Sequence, residues 1–426
     1  MTALEIDHGG AIAVDTGQLR DVGAGMRALT AKYEEARDAV GRALRTVAAQ
    51  PGACPHLDVA ALQRSDEHLG ALRAELDSAC TGVMLMADAF EVVEQRARAE
   101  ALAVTDAAAA AAASARADRL VAADGRLADM ADYLVAGWEQ RRFDGLGEQF
   151  DAGGLLPPLF LAGALVGVTS GAGKLLPGMT LHGPADPVRV TAVKTSAPDA
   201  PQSLAGALRR IPSSNAQVAV ERYTMPDGAP RYVAYVTGTR NSAPWRAGEE
   251  EPWDMKSNVE LYQGRKSASY EATLDALEAA GAERGDRVDV VAYSQGGMIA
   301  AHLAMESEYE VTMQLTAGSP QEPTIGDDQT LVQLRHTDDV VSALAGGGSA
   351  AGTGSDDSFT ASRVGDPRAG LEDLKLEAHA LETYIETAEM VDASPDPRAE
   401  ALDAYWAELG EAVDVERTEF HAERTG

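Results

Sequence analysis

The stretch RVDVVAYSQGGMIAAHLA, residues 287–304, combines a strand pattern, a glycine-containing turn and a helix pattern. Its first seven residues are largely apolar, as in a strand buried on both faces, and the apolar run after Gly297 suits a buried helix. Ser294 therefore stands on a sharp turn from strand to helix, where the residues two before and two after must be small for the backbones to pass. Gly296 meets that requirement, and Ala292, in place of the more usual glycine, adds only a methyl group.

Strand and helix patterns alternate on both sides of this stretch. Residues 188–196 and 216–223 alternate apolar and polar positions, and RYVAYV (231–236) is an apolar strand. Residues 267–280 have one apolar face at helical spacing. This alternation predicts an α/β fold with a doubly wound, mainly parallel sheet covered on both faces, which we assign to residues 185–426.

The first third of the chain has helical periodicity throughout. Apolar residues recur at steps of three and four from Leu19 to Val47 and again from Leu62 to Val93, with a break at Pro51-Gly52. Two long helices joined by a short turn should form an antiparallel hairpin. A third amphipathic helix is expected between Leu120 and Trp138. We therefore predict an all-α hairpin or bundle domain at residues 1–148.

An apolar linker is expected between the two domains, at residues 149–184. No charged residue occurs between Asp151 and Lys174, and the segment is close to the length that spans a membrane. Pro157-Pro158 and several glycines favour a helix buried between domains instead. The sequence thus leaves two alternatives: a helix buried between the domains, and membrane contact through residues 153–173.

Composition excludes several classes of function. The formal net charge is −31, which repels phosphate backbones and anionic lipid headgroups, so we expect no nucleic-acid partner. The two cysteines, Cys54 and Cys80, lie too far apart along the helical pattern to form a disulfide framework. The first residues have no basic region followed by an apolar run, so we expect no cleaved signal peptide.

Ser294 can act as a nucleophile only beside a base that an acid orients. In this type of fold the chain order is serine, acid, histidine. Asp338 and Asp339 follow an apolar strand pattern and are the candidate acids. Of the later histidines, His379 precedes a helical pattern, whereas His421 lies in a charged segment that we expect to be solvated. His379 is therefore the expected base.

An oxyanion intermediate needs hydrogen-bond donors. The backbone N–H of Gln295, the residue after the serine, is one candidate, and the loop after the strand at 231–236 offers Gly238 and Thr239. That loop could also be an ordinary glycine turn. Residues 241–264 could form a lid, an acyl-binding wall or a surface insertion. The remaining histidines lack metal-ligand spacing, so we expect no metal site.

The segments VAYVTGTRN, VVAYSQGGMIAAHLA, HTDDVV and EAHALETY together resemble the α/β-hydrolases of actinobacteria, and lipases more generally. In the lipase pattern the acid directly precedes two aliphatic residues, which selects Asp339 over Asp338. The resemblance spans about residues 185 to 392 and implies a serine esterase or lipase that needs no cofactor. Its substrate would be a carboxylic ester, often of a lipid.

The helical hairpin resembles the helical modules of actinobacterial type VII secretion substrates, although Pro51-Gly52 stands where that family has a Trp-x-Gly turn. This resemblance implies a secreted or cell-envelope protein exported without a cleaved signal, with the secretion machinery or another helical protein as partner. A scaffolding or oligomerisation domain in a cytoplasmic protein is the alternative. An effector whose helical domain does the essential work, and an acyltransferase that uses the same triad, are the competing functions.

Overall fold

The computed structural model describes residues 3–9, 11, 16–49, 58–103, 106–146, 173–367 and 376–425. These residues divide into two compact units. One unit comprises residues 14–96 and 114–134, and the other comprises residues 1–13, 97–113 and 135–426. The predicted helix or membrane element at 153–173 lies outside the described residues, apart from Gly173. The predicted boundaries at 148 and 184 stay predictions.

The chain contains the following helices and strands in its described part. The helices are α1 (Thr16–Ala49), α2 (Val59–Leu102), α3 (Ala107–Ala123), α4 (Arg126–Arg141), α5 (Leu204–Leu208), α6 (Met255–Tyr262), α7 (Ala268–Ala279), α8 (Gln295–Glu306), α9 (Leu381–Asp392) and α10 (Pro397–Gly410). The strands are β1 (Glu5–Asp7), β2 (Lys174–Leu175), β3 (Val188–Ser196), β4 (Val218–Thr224), β5 (Pro230–Val236), β6 (Arg287–Tyr293), β7 (Met313–Ala317), β8 (Glu322–Pro323), β9 (Thr330–His336), β10 (Phe359–Arg363) and β11 (Asp414–Arg424).

In the smaller unit, α1 and most of α2 form the predicted antiparallel hairpin. Close packing is possible at Gly23, where an added Cβ would lie 2.7 Å from the sulfur of Met84. The thiol of Cys80 donates to the carbonyl of Gly23 at 3.3 Å. Toward the other end of α1, Arg37 forms a two-point ion pair with Asp66 at 3.2 and 3.1 Å. Residues early in α1 therefore meet residues late in α2, as an antiparallel pair requires.

The predicted single helix between Leu120 and Trp138 is wrong, because two helices occupy that region. α3 ends at Ala123 and α4 begins at Arg126. The carboxylate of Asp124 accepts a hydrogen bond from the backbone N–H of Arg126 at 3.0 Å, which is the capping interaction that starts a new helix. The apolar periodicity continues through Asp124 and Gly125, but a polar capping residue followed by glycine ends one helix and starts the next.

The larger unit contains a nine-stranded mixed sheet in the order β1-β10-β9-β7-β6-β5-β4-β11-β3. The five central strands from β10 to β5 are parallel to one another, and β4, β11, β3 and β1 join antiparallel at the two ends. The chain thus has a helical region followed by a mostly parallel sheet with helices, which confirms the predicted α/β class. β2 and β8 form a separate two-stranded parallel ribbon.

The charged segment around His421, expected to be solvated, instead belongs to the strand β11. It lies between β4 and β3 and pairs antiparallel with both. Its charged residues have partners: Arg417 contacts the buried Glu221 at 3.0 Å, and Arg424 contacts the buried Asp254 at 2.9 Å. A strand whose charges are paired in this way has no continuous apolar pattern. Its composition therefore resembles that of a solvated segment.

Hydrophobic cores cover both faces of the sheet. On one face, α5, α9 and α10 pack against side chains that include Val291, Leu315 and Leu334. On the other, α6, α7 and α8 pack against Val290, Ala292 and their neighbours. Adjacent residues of β6 thus point into opposite cores, as the pleat of a strand requires. Among the helices in the described residues, none is long and apolar enough to cross a membrane.

Candidate active site

Ser294 lies between the end of β6 and the first residue of α8 in a strained backbone conformation. Its φ and ψ angles are 54° and −120°. A non-glycine residue with positive φ is uncommon and disfavoured, so the surrounding structure must hold it in place. The N–H of Ser294 donates to the carbonyl of Ala317 at 2.9 Å, and its own carbonyl accepts from the N–H of Gly297 at 2.8 Å. These backbone bonds fix the turn.

Small residues around the turn are required by close backbone approaches. A Cβ at Gly296 would lie 2.6 Å from the carbonyl oxygen of Val236, and a Cβ at Gly297 would lie 2.5 Å from the Cβ of Ser319. Ala292 is fully buried. The sequence predicted that the residues two before and two after the serine must be small. At Gly296, the residue two after, a specific close contact explains this requirement.

Ser294, His379 and Asp339 form a continuous hydrogen-bonded chain. The Oγ of Ser294 lies 2.8 Å from Nε2 of His379, and Nδ1 of His379 lies 2.7 Å from Oδ2 of Asp339. The ionised carboxylate can only accept, so Nδ1 carries a proton and Nε2 is free to accept from the serine hydroxyl. The structure brings together the three side chains that the sequence singled out.

Asp339 is held as a buried anion. Its Oδ1 accepts from the N–H of Val341 at 2.9 Å, and its Oδ2 accepts from the hydroxyl of Tyr384 at 2.7 Å as well as from His379. Burial alone would raise the pKa of this carboxyl group, but the charge and hydrogen bond of His379 and the two other donors hold it below its usual value. Asp339 is therefore ionised and can accept a hydrogen bond from His379.

Asp338, the alternative acid, has a structural role. Its carboxylate accepts from the backbone N–H groups of Gly365 and Asp366 at 2.6 and 2.8 Å, so it fastens the loop after β10. Burial raises the pKa of Asp338, against these hydrogen bonds. The structure places Asp339, and not Asp338, beside His379.

The candidate oxyanion donors lie close to the serine. Gln295 is the first residue of α8, and the first N–H groups of a helix have no partner within it. The loop after β5 approaches so closely that a Cβ on Gly238 would lie 2.9 Å from Cβ of Ser294. Glycine is therefore required there, which an ordinary turn would not demand.

The hydroxyl of Thr239 is committed to the framework of the site. It donates to Oε1 of Gln295 at 3.3 Å and accepts from Nδ2 of Asn258 at 2.8 Å. The side-chain amide of Gln295 in turn donates to Ser269 at 3.2 Å. These bonds tie the loop after β5 to the start of α8. The backbone at 238–239, and not the Thr239 hydroxyl, is then the group free to face a substrate.

Three aromatic residues near the triad were not predicted to be site residues from the sequence: Tyr293, His336 and Tyr384. Tyr293 stacks on the ring of His379, with centroids 5.2 Å apart, and its hydroxyl donates to the His379 carbonyl. Burial raises the pKa of Tyr293 and lowers that of His336 to about 4. Tyr384 lies in the segment EAHALETY, which also contains His379. The sequence therefore showed that Tyr384 is near the base along the chain, but gave no sign that its hydroxyl has a role.

The segment from 241 to 264 is anchored at both ends. The N–H groups of Arg240 and Asn241 donate to the carbonyl of Trp253 at 2.8 and 3.1 Å, and Trp253 is fully buried. The hydroxyl of Tyr262 donates to the carbonyl of Leu344 at 2.9 Å. Trp245 is 84% exposed. Two of the three aromatic residues of the segment thus belong to the framework, and one faces solvent.

The described residues contain no group of three or more His, Cys, Asp or Glu side chains placed to hold a metal ion. Comparisons of the chain with models of protein families, with curated proteins and with solved structures found no match. Function therefore has to be inferred from the site itself.

Proposed function

We propose that this chain is a serine hydrolase of the α/β-hydrolase type that cleaves carboxylic esters through an acyl-enzyme on Ser294. The observation that carries the proposal is the unbroken chain of short hydrogen bonds, 2.8 Å from Ser294 to His379 and 2.7 Å from His379 to Asp339, on a strained strand-to-helix turn. Nucleophile, base and orienting acid are the three parts that acyl transfer by serine needs.

The order of parts along the sheet supports the α/β-hydrolase type. β6 carries the serine at its carboxyl end, and its parallel neighbour β5 leads into the loop with Gly238. The acid follows β9, and the histidine comes after β10. In α/β-hydrolases the nucleophile, acid and histidine occur in this chain order, and a loop after a neighbouring strand completes the oxyanion hole.

In the first half of the reaction, Oγ of Ser294 attacks the ester carbonyl carbon while Nε2 of His379 takes the hydroxyl proton. The carbonyl oxygen becomes an oxyanion, which the N–H groups of Gln295 and of the loop at 238–239 stabilise. The protonated His379 is stabilised by the carboxylate of Asp339. It then donates its proton to the leaving alkoxide oxygen as the C–O bond breaks, so the alcohol departs and the acyl group stays on Ser294.

In the second half, water attacks the acyl carbon and His379 takes the proton of that water. The new tetrahedral intermediate breaks its bond to Oγ, and His379 returns the proton to Ser294. The products are a carboxylic acid and free enzyme, and no other reactant is consumed. Burial of the triad favours this chemistry, because Ser294 is only 6% exposed and Asp339 only 1%, so the charges are weakly screened.

A fluorophosphonate probe tests the proposal directly, because it reacts with activated serines. We expect stoichiometric labelling of the native protein, with the adduct on Ser294 by peptide mass spectrometry. Ser294→Ala should abolish both labelling and the hydrolysis of p-nitrophenyl butyrate. Ser319→Ala is the matched control, since Ser319 is also buried but bonds its hydroxyl to the carbonyl of Gln321. An unlabelled native protein, or equal labelling of Ser294→Ala, contradicts the proposal.

A further inference from the structure

The hydroxyl of Tyr384 shares one oxygen atom of Asp339 with the base. It donates to Oδ2 of Asp339 at 2.7 Å, and Nδ1 of His379 lies at the same distance from the same oxygen. Tyr384 is completely buried and Asp339 is only 1% exposed, so solvent does not reach the shared oxygen. The carboxylate oxygen that orients His379 therefore divides its negative charge between two donors.

His336 holds Tyr384 in the orientation that this sharing requires. The two rings stack with centroids 3.9 Å apart and planes 6° from parallel. The backbone N–H of His336 donates to the Tyr384 hydroxyl oxygen at 3.3 Å, which leaves the hydroxyl hydrogen for Asp339. The ring of His336 is fixed in turn, because Nδ1 contacts the carbonyl of Ala378 at 2.6 Å and Nε2 contacts the hydroxyl of Thr387 at 2.7 Å.

The approach of Gly318 shows how tightly this corner is built. Gly318 has a φ of +61°, and a Cβ there would lie 2.8 Å from the ring of Tyr384 and 3.1 Å from Nδ1 of His379. Neither ring can move toward the sheet. Tyr384 is therefore limited to the position from which its hydroxyl reaches Asp339.

We propose that Tyr384 is a positioning residue that limits the basicity of His379 by sharing Oδ2 of Asp339. The proposal rests on the proposed hydrolase function, in which His379 must be unprotonated to activate Ser294. A hydrogen bond to a carboxylate draws charge from it, so a second donor weakens its hold on the proton of the first. Loss of the Tyr384 hydroxyl should therefore strengthen the bond between Asp339 and His379.

Other titratable and charged groups also face this cluster. They are Tyr293 from β6, His336 from β9, Asp338 from the loop after β9, Arg363 from β10, and Glu382 and Glu386 from α9. Their contributions stay constant when only the Tyr384 hydroxyl is changed, because that substitution alters no charge.

The test is a titration of the His379 imidazole by nitrogen-15 NMR in histidine-labelled full-length protein, assigned by the signal lost in His379→Gln. Tyr384→Phe removes the shared hydrogen bond and keeps the stacked ring. We expect the His379 midpoint to rise by about 0.5 to 1 pH unit, and the acid limb of the kcat/KM profile to rise by the same amount. KM should change less than kcat at pH 6, because Tyr384 does not touch the substrate.

Two further variants separate the hydrogen bond from a general structural effect. Tyr384→3-fluorotyrosine keeps the bond and makes the hydroxyl a stronger donor, so the midpoint should move in the opposite direction, to lower pH. Tyr235→Phe is the matched control, because Tyr235 is a fully buried tyrosine that donates to a buried carboxylate, Glu221, at 3.0 Å. It should leave the His379 midpoint unchanged.

The midpoint is read without substrate, so the two proposals fail separately. A native protein that does not react with fluorophosphonate refutes the hydrolase function, whatever the titration shows. A His379 midpoint that is the same in the native protein, in Tyr384→Phe and in Tyr384→3-fluorotyrosine overturns the positioning role, even when Ser294 is labelled. Movement of both Tyr384 variants in the same direction overturns it as well.

Discussion

Replacing either of two adjacent aspartates by asparagine should separate the catalytic acid from its structural neighbour. In Asp339→Asn, one amide oxygen must serve the three donors that the carboxylate now accepts from, on Val341, His379 and Tyr384. Two charge-assisted hydrogen bonds are lost or weakened, at about 1.5–3 kcal/mol each. Transition-state stabilisation then falls by about 3–6 kcal/mol, which lowers kcat/KM by about 10²- to 10⁴-fold. The upper end applies when His379 adopts the wrong tautomer.

Asp338→Asn is the matched change one residue earlier. It removes one acceptor from the N–H groups of Gly365 and Asp366 and does not touch His379. We expect the free energy of unfolding to fall by about 1–3 kcal/mol, while kcat/KM per folded molecule stays within about threefold of the native value.

Both variants are measured by p-nitrophenyl butyrate hydrolysis, with the folded fraction taken from urea unfolding followed by circular dichroism. Normalising to folded protein is essential, because the two substitutions affect stability as well as chemistry. Equal losses of kcat/KM in the two variants, or a larger loss in Asp338→Asn, would refute the assignment of Asp339 as the acid.

Three further outcomes are expected. Gly296→Ala should lower the melting temperature and reduce kcat/KM by about 100-fold, since its Cβ would lie 2.6 Å from the Val236 carbonyl and displace the loop at 238–239; full activity contradicts this. Ser294→Gly should be more stable than Ser294→Ala by about 1 kcal/mol in urea unfolding, because only glycine adopts φ 54°, ψ −120° without strain; equal stabilities contradict the strain. The pKa of His336 is about 4 when folded, below its unfolded value, so the unfolded chain binds the extra proton between about pH 6.5 and 4. Its contribution to stability, about 3 kcal/mol, is therefore present above pH 6.5 and lost as the pH falls toward 4, and His336→Asn should flatten that part of the stability curve.

The elements around the serine could be predicted because their signals are local. Residues 287–304 contain a buried strand, a glycine-rich turn and a buried helix within one window, and each follows from residue type and spacing alone. The order of acid and histidine along the chain then restricts the choice to a few residues. Those choices became a site only through contacts between residues 40 and 85 positions apart, which the structure supplies.

The elements that depend on distant partners could not be predicted. β11 lies in the sheet although its sequence is rich in charge, because Glu221 and Asp254 neutralise Arg417 and Arg424 across the fold. The strand Glu5–Asp7 has three residues and is defined only by its pairing with β10. Period and propensity carry no information about such pairings.

The supporting residues of the site were missed for a related reason. Tyr384 follows His379 by five positions and stands in a helix with ordinary periodicity, where an aromatic residue is typical of core packing. Its hydroxyl becomes functional only because α9 lies over the end of β9 and directs it at Asp339. The sequence could identify the reacting side chains, but not the second donor to their carboxylate.

The position of β11 has a consequence for synthesis of the protein. β3 lies at the edge of the sheet and pairs there with β11, which follows it by roughly 220 residues. At about 5–20 residues per second, a ribosome needs about 10–45 s to deliver the partner strand. During that interval β3 is a nine-residue strand without its native neighbour, and such an edge is a template for aggregation. A chaperone that shields residues 188–196 on nascent chains would therefore raise the yield of folded protein.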